Sequence, residues 1–196
     1  MTRGKFANRN IYFATSNLNK YEEAEKILGN YGLKLYKVKL IEIKDESLRN
    51  IALTSLQFLT ESFYEPVFVE DSGFFIKALN GFPGPIAGYV HKKLGNQKVL
   101  SLLKDNDDRS AYFKSVVAFK TSSKGPITFE GKTNGKIIDK ERGSKGFDYD
   151  PIFQPIGSDR TFGEMSTEEK NDFSHRGKAL KKLRVWLEEE FRCSPF

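Results

Sequence analysis

Apolar positions recur along this chain at two spacings, every second residue or every third to fourth, and the two alternate in blocks from residue 10 onward. Asn10 to Ala14 (NIYFA) predicts a short buried strand that runs through Thr15-Ser16-Asn17-Leu18-Asn19-Lys20 into a helix. That helix carries Tyr21, Ala24, Ile27 and Leu28 on one face, with Gly29 or Gly32 as its stop. Leu33 to Leu40 alternates as a half-buried strand, with Glu42 just beyond it. Ser47 to Phe63 places Leu48, Ile51, Ala52, Leu56, Leu59 and Phe63 at helical spacing. Past Pro66, Val67-Phe68-Val69 predicts a buried strand delivering Glu70, Asp71, Ser72 and Gly73 at its C-terminal end, and Phe74 to Leu79 a further strand.

Asn80-Gly81-Phe82-Pro83-Gly84-Pro85 predicts a rigid turn, read as one wall of a cleft. Gly88 to Leu103 is helical with an interruption at Gly95-Asn96, and Lys104 to Arg109 is an exposed loop of solvated acids. Ala111 to Lys120 and Ile127 to Ile138 form a hairpin of long strands, with Gly131 and Gly135 as candidate bulges. Ser166-Thr167-Glu168-Glu169 matches a capping box and opens a short helix bearing Lys170. A last helix, from about Ser174 to Phe191, aligns Ala179, Leu180, Leu183, Trp186, Leu187 and Phe191 as its core stripe. Strands interleaved with helices predict the α/β class, in a single domain over 1–196 with 1–9 as a polar tail.

Composition narrows this picture. A chain of 196 residues holds one well-buried core but leaves a second domain cramped. Its 17 Phe and 8 Tyr supply large side chains for that core and argue against disorder. No apolar run approaches the roughly 20 residues of a membrane span, and MTRGKFANRN lacks the apolar centre of a secretion signal, so a cytoplasmic protein is expected. A lone Cys193 excludes an internal disulfide and cysteine metal spacing. The net charge of +6 and pI near 9.2 favour an anionic partner. The basic residues are spread out, however, and the densest group (Lys178, Lys181, Lys182, Arg184) lies opposite the apolar stripe of the last helix as a solvated face.

Candidate chemistry gathers between Gly146 and Arg176. Phe147, Asp148 and Asp150 present a flat ring and carboxylates, Lys170 an ammonium, and Ser174-His175-Arg176 two donors at a helix start. Donors there oppose the helix dipole, which makes sense with an anion or a carbonyl oxygen to bind. Together these are tools for holding a purine nucleotide. Thr15 to Lys20 leads a strand into a helix, where free backbone N–H groups and hydroxyl, amide and ammonium donors fit a phosphate. Taken alone, the same six residues are better explained as an ordinary N-cap. Asp71 is the leading catalytic residue; with Glu42 arriving from a neighbouring strand end it offers hard oxygen donors for Mg2+. His91 has no polar neighbours in sequence and reads as structural.

In chain order, ATSNLNKYEEAEKIL (14–28), VEDSGFFIKALNGFPGP (69–85), FEGKTNGKI (129–137), GFDYDPIF (146–153) and TFGEMSTEEKNDFSHRGKAL (161–180) resemble the inosine and xanthosine triphosphate pyrophosphatase family. The resemblance implies an elongated α/β fold: a long mixed sheet flanked by helices, with two lobes around a central nucleotide cleft. It also implies a homodimer and the Mg2+-dependent conversion of ITP, dITP or XTP to monophosphate and pyrophosphate, which clears the nucleotide pool. By position it places phosphate binding on Thr15, Asn17 and Lys20, further substrate binding on Ser16, Leu18 and Asn19, and the metal on Glu42 and Asp71, with Asp71 also the proton acceptor. Ser72 contacts substrate, Phe147, Asp148, Tyr149 and Asp150 form the base-recognition loop, and Lys170, His175 and Arg176 add later contacts. Three departures stand out: Asp148 replaces the usual glycine, Ile86-Ala87-Gly88 replaces the usual aromatic and small residues, and no lysine lies within Ala52 to Ser55. A related family acting on modified pyrimidine triphosphates opens with a Ser-Pro-Arg-Arg-type loop, which Thr15 to Lys20 does not match. A nucleic-acid-binding protein would fit the pI and the aromatics but needs a basic stripe interleaved with exposed rings, which is absent. Neither a membrane nor a nucleic acid is an expected partner.

Overall fold

In the computed structural model, the structure describes residues 10–41, 43–121 and 124–193, with side chains given up to residue 190. Glu42 and the side chain of Phe191 therefore lie outside the described residues. Among the described residues the sheet has seven strands: β1 (Ile11–Ala14), β2 (Leu33–Tyr36), β3 (Val67–Ile76), β4 (Pro83–Gly84), β5 (Ser110–Lys120), β6 (Ile127–Ile137) and β7 (Phe153–Pro155). Their order is β2-β1-β3-β5-β6-β7, with β4 beside β3. β1 runs parallel to β2 and β3, while the remaining pairs are antiparallel, so the sheet is mixed.

Among the described residues five helices flank it: α1 (Leu18–Leu28), α2 (Leu48–Thr60), α3 (Ala87–Leu102), α4 (Thr167–Phe173) and α5 (His175–Cys193). Strand alternation sorts β3 between them. Phe68 packs with Ala24, Leu28, Ala179 and Leu183 of α1 and α5, whereas Val67 and Val69 pack with Leu48, Ala52 and Leu56 of α2. Farther along the sheet, Phe74 and Phe113 meet Val99 and Leu103 near the end of α3 and the rings of Tyr149, Phe153 and Phe162. Asn17 caps α1 and Ser47 caps α2, each side chain accepting backbone N–H groups of the first turn.

Several expectations change. Val67 to Gly73 and Phe74 to Leu79 are not two strands: one ten-residue strand runs to Ile76, and Lys77–Leu79 is a 3-10 turn. Glu70, Asp71 and Ser72 thus sit in mid-strand, because β5 pairs with β3 over its whole length. The strand expected to reach Leu40 ends at Tyr36, where its partner β1 ends at Ala14. Gly131 and Gly135 form no bulge, since the β5–β6 register is unbroken from Ser110–Lys136 to Phe119–Ile127. Close approach explains Gly131: a Cβ there would overlap the carbonyl oxygen of His175 and come 2.7 Å from the Ala179 nitrogen. Ser166 caps α4 through Glu169 N–H, but the reciprocal capping box forms one step earlier, between Thr161 and Glu164. The loop acids are not all solvated: Asp108 pairs with Lys77 at 2.9 Å and accepts Ser110 N–H.

Gly131→Ala should therefore cost about 2 kcal/mol or more by prising α5 off β6. Gly88, whose added Cβ meets nothing within 4 Å, is the control. Gly88→Ala should shift stability by less than about 1 kcal/mol in the same urea titrations.

Candidate active site

A gap in the sheet makes room for the site. With β5 along one edge of β3, the other edge is shared by β1, which pairs only as far as Phe68, and β4, which begins at Phe74. Between them Val69 to Gly73 has no strand neighbour on that side among the described residues. A cavity of about 560 Å3 opens there, lined among others by Thr15, Ser16, Asn17, Lys20, Glu70 and Asp71. The N-terminus of α1 faces it, so backbone N–H groups and a positive dipole end meet two carboxylates. Leu18 and Asn19 belong to the first turn of α1 but do not line the cavity. Lys39 and Ser55 do, and Ser55 Oγ donates to Ile41 O at 2.7 Å.

At Lys20 and Glu70 of the cavity begins a chain of buried charges. Lys20 Nζ lies 2.9 Å from Glu70 Oε2, and Arg176 Nε lies 3.2 Å from Glu70 Oε1. Arg176 Nη1 pairs with Glu23 Oε2 and its Nη2 donates to Ser72 Oγ at 3.1 Å. Lys170 Nζ bridges Glu23 Oε1 and Asp150 Oδ2, each at 2.6 Å. Asp150 Oδ2 then accepts Phe147 N–H at 2.7 Å. Plus and minus alternate without a break from the cavity to the Phe147 loop. Ser115 Oγ donates to Glu70 at 2.6 Å and Asn171 Nδ2 to Glu23 O at 2.9 Å. The ring of Phe147 is flanked by Lys170 Nζ at 4.5 Å and the Arg176 guanidinium at 5.6 Å.

Burial opposes charge on Glu23 and Glu70, but Arg176, with Lys170 at Glu23 and Lys20 at Glu70, outweighs it and holds both carboxyls below the ordinary range. At Asp150 burial outweighs Lys170 and, with repulsion from Glu23, raises the carboxyl. Burial also opposes the cations, yet the carboxylates win and keep Lys170 and Arg176 charged. His175 goes the other way: burial, then the adjacent Arg176, push its imidazole well below the usual value. It is neutral and stacked on Phe113 at 4.6 Å and 9°. Its Nδ1 has no hydrogen-bond partner among the described residues.

A model of the Ham1 family matches residues 11–186. The chain belongs to the Ham1 family. Curated relatives include a dITP/XTP pyrophosphatase of Methanopyrus kandleri, 46% identical over 90% of this chain and 95% of that protein. Another, of Thermococcus kodakarensis, is 44% identical over 93% and 99%. Among solved structures, a HAM1 protein from Coxiella burnetii superposes with a TM-score of 0.78 at 32% identity, covering 92% of this chain and 99% of that one. The Staphylococcus aureus Ham1 protein gives 0.77 at 25% identity, over 91% and 99%.

In this Ham1 member the expected site residues fall into two groups. Thr15, Ser16, Asn17, Lys20 and Asp71 meet at the cavity; Ser72, Phe147, Asp150, Lys170 and Arg176 meet along the buried chain. Asp148 adopts φ +52, a left-handed conformation that Asp tolerates where glycine is usual. Tyr149 is buried with its hydroxyl on Ala87 O, a support for the loop and not a surface of it. His91 does have polar company, Asp148 Oδ1 at 3.3 Å. Sequence reasoning missed Glu23, Glu70 and Ser115. Glu23 was detectable as an acid on the buried stripe of α1, four residues before Ile27, and Glu70 as an acid sharing strand parity with Phe68 and Phe74.

A buried imidazole that stays neutral has consequences for stability. Its folded pKa lies below the unfolded value, so its contribution is complete above about pH 6.5 and is lost as pH falls below it. Between pH 7.5 and 5.5 the wild type should lose about 1 kcal/mol more stability than His175→Asn. Equal losses in urea unfolding would mean that His175 is not held neutral.

Proposed function

We propose that this chain is a nucleoside triphosphate pyrophosphatase that hydrolyses ITP, dITP and XTP to the monophosphate and pyrophosphate. The observation that carries the reading is the convergence of a helix N-terminus, Lys20 and Asp71 on one open cavity beside the gap in the sheet. The activity for which the curated relatives are named supports it. We further propose Mg2+ as cofactor, a homodimer, and a cytoplasmic location; among the described residues no helix is long and apolar enough to cross a membrane.

The cavity's donor chemistry fits that ion: Asp71 supplies a carboxylate, Glu42, the second expected ligand, lies outside the described residues, and Mg2+ would take its other ligands from water and phosphate. Among the described residues no cluster of three or more His, Cys, Asp or Glu forms a complete metal cage. When bound, Mg2+ would neutralise phosphate charge and orient the phosphate oxygens. Asp71 positions a water against the α-phosphorus and takes its proton as the oxygen attacks. The bond from that phosphorus to the bridging oxygen breaks, and pyrophosphate departs toward Lys20 and the N–H groups of α1.

At the base end, Phe147 stacks on the purine, which any purine satisfies. His175 Nδ1, buried and without a hydrogen-bond partner among the described residues, offers a donor to the oxygen at ring position 6, where adenine carries a donor of its own. Lys170 and Arg176 frame the loop through Glu23, Glu70 and Asp150 and fix the ring between them.

Pyrophosphate release from a panel of ribo- and deoxynucleoside triphosphates, with and without Mg2+, tests the reading. Inosine and xanthosine substrates should be cleaved in preference to ATP, and failure on every nucleotide would sink it. Asp71→Asn should lower turnover on the order of a hundredfold or more with nucleotide binding largely retained. Near-normal turnover would remove Asp71 from the proton-accepting role.

A further inference from the structure

Helix α3 lines neither the cavity nor the buried charge chain, yet its middle is tied to the loop that carries Phe147. The helix breaks at Gly95, with φ +68 and ψ 174. An added Cβ there would meet nothing within 4 Å, so the glycine answers to the backbone conformation and not to crowding. The break turns Asn96 inward, 8% exposed, where its Nδ2 donates to Asp148 O at 3.1 Å and to Glu141 Oε2 at 3.2 Å. Both partners only accept, which fixes the orientation of the amide. Packing alone, through Ala87, Val90 and Val99, requires neither the break nor a buried amide.

Upstream on α3, His91 Nδ1 lies 3.3 Å from Asp148 Oδ1, and its ring stands edge-on to Tyr149 at 5.0 Å. Tyr149 in turn donates its hydroxyl to Ala87 O at 2.9 Å. Asp148 is one of two non-glycine residues at positive φ among those described. Such a conformation persists only where the surroundings determine it. Here the carbonyl and carboxylate of Asp148 and the ring of Tyr149 are all held by α3. On the other side of the loop, Asp150 holds Phe147 N–H. The backbone of Phe147 is clamped between α3 and the charge chain.

We propose that α3 sets the pose of the Phe147 ring, with Asn96 and His91 as positioning residues that fix Asp148, so that this helix governs capture of the nucleoside but not of the phosphates. The inference rests on the function proposed above. It is tested with Asn96→Ala and His91→Ala in the full chain, measuring kcat and KM for ITP and inhibition by inorganic tripolyphosphate, a probe with no base. KM for ITP should rise about three- to tenfold, the effect of one lost hydrogen bond, while the inhibition constant of tripolyphosphate stays put. Turnover at saturation should stay within about twofold, since the attacking groups are untouched. His91→Asn, which keeps a donor near the Nδ1 position, should recover most of the loss. The side chain of His91 is a quarter exposed, so its variants keep the test alive where Asn96→Ala fails to fold. Unmoved KM in the variants, or tripolyphosphate weakened in parallel with ITP, would overturn the assignment. A wild type that cleaves no nucleoside triphosphate would overturn the proposed function and this inference with it, whereas an active wild type with unaffected variants overturns the inference alone.

Discussion

Arg176 between Glu23 and Glu70 is the contact on which the rest of this structure depends. A guanidinium only 2% exposed loses its hydration, and only well-placed carboxylates compensate for that loss. Each of its three nitrogens faces an oxygen from a different residue, Glu23 on α1 and Glu70 and Ser72 on β3. A lysine in its place would offer a single point of charge and could not span them. The carboxylates are themselves too buried to stand alone, so Glu23 requires Lys170 and Glu70 requires Lys20. One buried cation thereby fixes the mutual placement of α1, β3, α4 and α5. Removing a member leaves a charge stranded, at a cost of about 3 to 5 kcal/mol.

β3 can serve both halves of the site because its residues alternate. Glu70 and Ser72 face the charge chain, with Glu70 also reaching the cavity, while Asp71 faces the cavity on the side of α2. A slip of one residue would exchange these roles, placing Asp71 under Arg176 and the two others toward α2. The unbroken pairing with β5, from Val67–Lys120 to Ile76–Ala111, prevents it. The long hairpin is thus a register device for the chemistry as much as a source of core. Gly131 belongs to the same arrangement, because α5 can bring His175 and Arg176 over the sheet only where β6 lacks a side chain.

What was legible in the sequence follows the range of the interactions involved. Helices α1, α2, α3 and α5 and the β5–β6 hairpin appear in apolar periodicity and turn residues, which are local. The break at Gly95-Asn96 was visible for the same reason, although its purpose was not, since Asp148 lies some fifty positions away. Candidate cations were also legible, but their partners were not. Lys170 and Arg176 read as substrate donors, yet their neighbours Glu23 and Asp150 sit 147 and 20 positions from Lys170. A one-dimensional reading sees a charged residue and assumes solvent or ligand; only tertiary packing shows the opposite charge beside it. The neutrality of His175 was hidden for the same reason, because its burial comes from tertiary neighbours such as Phe113 on β5.

The charge chain also bears on how a site could prefer one purine. With Arg176 already compensated by Glu23 and Glu70, a base approaching Phe147 meets a region whose formal charges largely cancel. Recognition there cannot rely on long-range attraction, which any nucleotide's phosphates would share. It has to rest on which single polar atoms remain without partners, because an unpaired buried donor or acceptor carries the full desolvation penalty. His175 Nδ1 is such an atom, and neutrality allows the imidazole to donate from only one nitrogen at a time. On the proposed reading, the tautomer of His175 therefore decides between an oxygen and an amino group at ring position 6. Burial, with the charge of Arg176 beside it, removes the doubly protonated form, which can only donate, so base choice becomes a matter of local hydrogen bonding and not of charge.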